Sequence, residues 1–158
     1  VLLEEKADAV LVVGDVTGTL ACALDAAKLH IAVAHVEAGL RSRDRKMPEE
    51  VNRVLTDAIS DFLLTPSRDA DENLLSEGIP SERIHFVGNV MVDSLRRAEG
   101  ALGRSTVLAD NGVSAGAFAY ATMHRDFNVD VAEFRAHQFG DHGHPGGEGI
   151  MEHAAASA

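Results

Sequence analysis

Two rhythms of apolar and polar positions divide the first hundred residues into elements. Ala9–Val13 is an unbroken apolar run rich in β-branched residues and closed by Gly14-Asp15, the pattern of a central parallel strand buried on both faces. Helical spacing follows, with Leu20, Ala23, Leu24 and Ala27 on one face and either Thr17 or Thr19 placed to cap the start. Residues 31–36 read as the next strand. Pro48 suits the first turn of a further helix, with Glu49 and Glu50 where acids are favoured and Val51, Leu55 and Ala58 turned inward. Residues 62–64 make a third strand stopped by Thr65-Pro66, and Ser67 is placed to cap a helix that Gly78 ends. A fourth strand at 84–87 breaks at Gly88-Asn89 before a helix over 90–97.

Strands that alternate with helices define an α/β protein with a parallel sheet. The first β-α-β crossover is right-handed, so both strands end at one edge, where such folds bind ligands. Residues 1–99 form one domain on this reading. Residues 100–115, rich in glycine and polar side chains, form a linker, and 116–122 open a second domain as a strand. Residues 135–158 read RAHQFGDHGHPGGEGIMEHAAASA, without any periodicity, and fit a disordered or frameshifted tail.

A formal net charge of −11 sets this chain against nucleic acid, whose phosphates need a basic face, and any anionic ligand must be met by locally placed arginines. No apolar run is long enough to cross a bilayer, and a cytoplasmic location is expected. The single cysteine, Cys22, cannot form an internal disulfide and is assigned to core packing.

The candidate chemistry clusters after the second strand. His35-Val36-Glu37-Ala38-Gly39-Leu40-Arg41 is followed by Pro48-Glu49-Glu50-Val51-Asn52-Arg53, and such a segment between a buried strand and a helix tolerates charge only when it is paired or used. Asp15 and Glu37 each stand just past their own strand and so come together at the sheet edge. Plainer roles are open to each: Asp15 as a helix cap, Glu37 as partner of Arg41 or Arg53, Glu49 and Glu50 as N-terminal helix acids. Glu50 keeps that plain role, and Asn52 with Arg53 braces the loop. In the tail, His137, Asp141, His142, His144, Glu148 and His153 could hold a divalent transition metal, although a disordered tail explains them better.

Together with Gly14-Asp15, Gly88-Asn89 and His124-Arg125, the string HVEAGLRSRDRKMPEEVNRVLTD resembles the non-hydrolysing UDP-N-acetylglucosamine 2-epimerases, from about residue 10 to about residue 130. The resemblance implies a Rossmann-like parallel sheet of the GT-B type, incomplete because the family's first strands would precede Val1, with 116–134 starting the second Rossmann-like domain. It implies interconversion of UDP-GlcNAc and UDP-ManNAc for surface polysaccharide, by elimination of UDP and its re-addition, with no cofactor or metal and with a homodimer as the assembly. Catalytic roles carry over to Asp15, Glu37, Glu49 and His124, without a choice of which carboxylate takes the C2 proton. Arg41, Asn52, Arg53 and Arg125 become the substrate-binding candidates. The chain departs from the family at Phe127, where His-Arg-x-Glu-Asn has its Glu, and it lacks the family's His-Pro-Arg segment and later glycine-serine-rich loop. The isolated polypeptide is therefore expected to be inactive. Two alternatives follow: a hydrolysing relative that releases ManNAc and UDP, or a non-catalytic remnant that associates through an exposed sheet edge.

Overall fold

The computed structural model describes residues 2–119. The chain divides after Arg104 into two compact units. The first holds α1 (Leu2–Glu5), β1 (Ala9–Val13), α2 (Thr17–Lys28), β2 (Ala32–Val36), α3 (Pro48–Ile59), β3 (Phe62–Thr65), α4 (Arg68–Ser76), β4 (Ile84–Phe86) and α5 (Val90–Leu102). The described part of the second, residues 105–119, holds only α6 (Val107–Asp110).

All four strands are parallel and lie in the order β1-β2-β3-β4. Each crossover steps the same way along the sheet, so right-handed connections place α2, α3 and α4 on one face. The burial pattern agrees. Val10 and Val12 of β1 and Val33 of β2 are buried with Ala23 and Ala26 of α2, and Leu63 of β3 is buried with Ala38 and Leu74. Leu11, Val13 and Phe62 point to the other face and are 62%, 51% and 47% exposed. The α/β class with a Rossmann-like parallel sheet is thus realised, with one face uncovered among the described residues.

Two expected helix faces are rotated. On α2 the buried positions are Thr19, Ala23 and Ala26, whereas Leu24 is exposed. Small alanines let the helix lie close to the strands, and the Thr19 hydroxyl donates to the Val13 carbonyl at 2.9 Å. Thr19 is therefore no cap; Val16 holds the N-cap position without a side-chain bond, as does Ser67 on α4. On α3 the difference is larger. Val51 and Leu55 are exposed, and the helix buries Glu50, Asn52, Thr56 and Asp57. A polar face goes inward because each of these side chains meets a partner there. The remaining differences are at ends: β3 includes Thr65, β4 stops before Val87, and α5 runs on through Leu102 into the stretch read as linker. Cys22 packs against the first core cluster.

Candidate functional site at the carboxyl edge of the sheet

The β1–β2 register pairs Val13 with Val36, so the next residues, Gly14-Asp15 and Glu37, leave the sheet side by side. Gly14 still donates its N–H to the Val36 carbonyl at 3.2 Å. Its φ is +73°, and a Cβ there would meet only Glu37 Oε2 at 3.8 Å, so the left-handed backbone rather than crowding calls for glycine. Glu37 has a φ of +69°, a conformation that costs a branchless glycine nothing and any other residue about 1–2 kcal/mol. Its carboxylate is half-buried and makes no hydrogen bond or ion pair among the described residues. The expected alternative, pairing of Glu37 with Arg41 or Arg53, does not occur.

Both arginines have other partners. Arg53 pairs with the Asp15 carboxylate and reaches Glu50 Oε2 at 3.2 Å, while Asn52 Nδ2 donates to the Asp15 main-chain carbonyl at 2.9 Å. One turn of α3 thus holds the loop after β1 by side chain and backbone at once. Asp15 consequently faces a cation, and among the described residues Glu37 does not. Two carboxylates at one edge in unlike surroundings are suited to unlike proton-transfer roles.

Arg41 is almost wholly buried. Nη1 donates to Asp57 Oδ2 at 2.7 Å and to the Leu40 carbonyl, and Nε and Nη2 form a two-pronged pair with Glu77 at 2.8 and 2.6 Å. Burial acts against the charge, but the Glu77 and Asp57 carboxylates more than reverse it, and the guanidinium is held above its ordinary range. Four of its five N–H donors are thus committed within the protein.

Asp57 and His35 were given no role by sequence reasoning. His35 is fully buried, with Nδ1 2.6 Å from Asp57 Oδ1 and Nε2 2.8 Å from the Gly14 carbonyl. Asp57 Oδ2 also accepts from the Gly39 N–H at 3.1 Å. Gly39 has a φ of +80°, and a Cβ there would lie 2.5 Å from the Ala70 carbonyl oxygen, so the loop cannot carry a side chain at this point. The signal was present in the sequence: His35 is the one polar residue in an otherwise apolar strand, where an unpartnered imidazole would be costly.

Glu50, read as a plain helix acid, fixes the loop before its own helix. Oε2 accepts from the Ser42 N–H at 2.9 Å and the Ser42 hydroxyl at 3.0 Å, and Oε1 accepts from the Arg43 N–H at 2.9 Å. Burial alone would push this carboxyl up; the Ser42 and Arg43 donors and the Arg53 charge overcome that and hold it below its ordinary value. Glu49 is half-buried in the first turn of α3, close behind Pro48. His124, Arg125 and the tail group from His137 to His153 lie outside the described residues. Among the described residues, no cluster of three histidine, cysteine or acidic side chains is arranged to hold a metal ion.

The family described as UDP-N-acetylglucosamine 2-epimerase matches residues 1–139. A Methanococcus maripaludis protein named a UDP-N-acetylglucosamine 2-epimerase homolog is 52% identical over 135 residues, covering 84% of this chain and 38% of that protein. The crystal structure of the Methanocaldococcus jannaschii UDP-GlcNAc 2-epimerase in complex with UDP-GlcNAc and UDP is similar at a TM-score of 0.74 and 49% identity, over 84% of this chain and 37% of that one. A Pseudomonas aeruginosa UDP-2,3-diacetamido-2,3-dideoxy-D-glucuronate 2-epimerase is 46% identical over 136 residues, covering 82% of this chain and 36% of that protein. The chain therefore spans a little over a third of the length of these relatives.

Proposed function

Since the chain belongs to the UDP-N-acetylglucosamine 2-epimerase family, we propose that it supplies the carboxylate wall of a site that inverts C2 of a UDP-linked 2-acetamido sugar. The observation that carries this reading is the edge formed by paired strands β1 and β2, where Asp15 is held by Arg53 and Glu37 has no counter-charge among the described residues. Inverting C2 requires that a proton leave one face of the sugar and another arrive on the opposite face. Asp15, Glu37 and Glu49 are the groups assigned to that proton traffic. Loss of the C2 proton with departure of UDP from C1 leaves a C1–C2 double bond; protonation of C2 from the other face and re-addition of UDP at C1 complete the inversion. No net oxidation occurs, so the step needs no redox cofactor. His124 and Arg125 are assigned to the departing diphosphate, whose charge a positioned cation stabilises.

Asn52 and Arg53 act on substrate through the Asp15 loop that they grip, and Arg41 acts through the loop around Glu37. UDP-GlcNAc is the proposed substrate, on the relative of 52% identity and on the UDP-GlcNAc-bound structure; the diacetamido uronate is the second candidate, on the relative of 46% identity. The carboxyl edge of the first unit supplies one wall of such a site, and one wall neither excludes water nor grips a diphosphate, so turnover is expected only when the rest of the site is supplied.

A chimera tests the reading, with residues 2–119 replacing the matching segment of the M. jannaschii enzyme. NMR of its products with each sugar nucleotide is expected to show UDP-GlcNAc and UDP-ManNAc reaching equilibrium. Free ManNAc and UDP would assign the hydrolysing reaction instead, and a folded chimera without turnover would leave the segment a non-catalytic remnant.

A further inference from the structure

The buried pair His35–Asp57 touches both loops that carry the proposed acid and base, although neither residue belongs to the proposed catalytic set. We infer that this pair is a positioning device that sets the Asp15 loop against the Glu37 loop; the inference rests on the proposed roles of Asp15 and Glu37. His35 Nε2 holds the Gly14 carbonyl, one residue before Asp15, and Nδ1 meets Asp57 Oδ1. Asp57 Oδ2 in turn holds Gly39 N–H and Arg41 Nη1 on the far side of Glu37. The result is a continuous chain of hydrogen bonds from Gly14 through His35 and Asp57 to Gly39.

A carbonyl oxygen only accepts, so Nε2 donates to Gly14, while Nδ1 and Asp57 Oδ1 share a hydrogen bond of 2.6 Å. The groups near the ring are few. Asp57 faces it from α3, with Arg41 and Glu77 beyond that carboxylate, while its neighbours across the strands are Val12 on β1 and Leu63 on β3. The ring is fully buried, so displacement of one end of the chain of bonds shifts the other.

A core polar group that only satisfied itself would not need to reach two loops. The pair does so where Glu37, in its left-handed conformation, has only its backbone neighbours to aim it. Arg41 and Glu77 extend the tie to the end of α4.

The test uses backbone NMR of the full chain. Asp57→Asn keeps the side-chain volume and touches neither Gly14 nor Asp15, yet it is expected to displace the amide resonances of both. In a His35→Gln background the same substitution is expected to leave them in place. An equal displacement in that background would mean that α3 conveys the effect through Asn52 and Arg53, and no displacement in either would mean that the pair is core filling; each overturns the inference. A reading that needs no variant is the proton spectrum of the unaltered chain, which must show a slowly exchanging proton in the His35–Asp57 hydrogen bond; its absence also overturns the inference. In the chimera, Asp57→Asn is expected to lower kcat by about 100-fold with KM within about twofold, the effect of an ångström-scale misplacement. If Glu37→Gln abolishes turnover and Asp57→Asn does not lower it, positioning fails and the functional reading stands. If Glu37→Gln leaves turnover intact, the functional reading itself fails, while the resonance test still decides the hydrogen-bond chain.

Discussion

Glu50 shows what a single carboxylate contributes when it takes the place of several turns of regular structure. Its two oxygens accept from Ser42 and Arg43, and the ring of bonds closes the loop between β2 and α3. Because the folded state holds this carboxyl below its ordinary value of 4.5, its contribution is complete above that pH. It is lost as pH falls through the lowered value, where the acid protonates and gives up its donors. Glu50→Gln is therefore expected to lower stability at neutral pH and to flatten the acid limb below 4.5, read from urea titrations at a series of pH values. An acid limb unchanged in Glu50→Gln would show that the loop does not depend on this charge. Gly39 tests the same loop sterically. Gly39→Ala must place a methyl against the Ala70 carbonyl at a positive φ and is expected to cost at least about 2 kcal/mol by chemical denaturation.

At the scale of elements, the strands were readable because apolar runs at Ala9–Val13 and Ala32–Val36 have no other use in a chain of this composition. The turn glycines and Pro48 marked ends by backbone chemistry, which tertiary packing seldom overrides. Helix α3 was misread for a physical reason. Hydrophobic periodicity assigns the inward face to Val51 and Leu55, but this helix faces two charged loops, and its buried side carries the groups that satisfy them. The proposed site was legible as a set of charges, since Asp15, Glu37 and Glu49 stand at element boundaries. What was not legible is who pairs with whom: His35 and Asp57 are 22 residues apart, and Arg41 and Glu77 are 36 apart. The α3 finding reverses the ranking that hydrophobicity would give. Asp57→Ala leaves His35 and Arg41 without their shared buried partner and is expected to cost about 3–5 kcal/mol, whereas Leu55→Ala on the exposed face costs less than about 1 kcal/mol. Equal costs for the two would contradict the inward polar face.

For the first unit taken whole, the helices α2, α3 and α4 share one face of the sheet, and Leu11, Val13 and Phe62 remain exposed on the other. Parallel sheets are ordinarily covered on both faces, and β1 leaves one edge unpaired among the described residues. An apolar face of this kind favours association at raised concentration. Replacing Leu11 and Phe62 together by Glu is expected to shift the chain toward monomer in sedimentation velocity; no change would place the association elsewhere. The edge that carries Asp15 and Glu37 is fully formed, while the chain spans a little over a third of the length of its relatives.

The most direct measurement is deuterium incorporation at C2 of UDP-GlcNAc in D2O, followed by proton NMR for the chimera bearing residues 2–119 and for the same protein with Glu37→Gln. The account predicts exchange at C2 in step with formation of UDP-ManNAc, and loss of both in Glu37→Gln while its melting temperature is retained. Epimerisation without deuterium at C2, or undiminished exchange in Glu37→Gln, would contradict the assignment of this sheet edge to proton transfer.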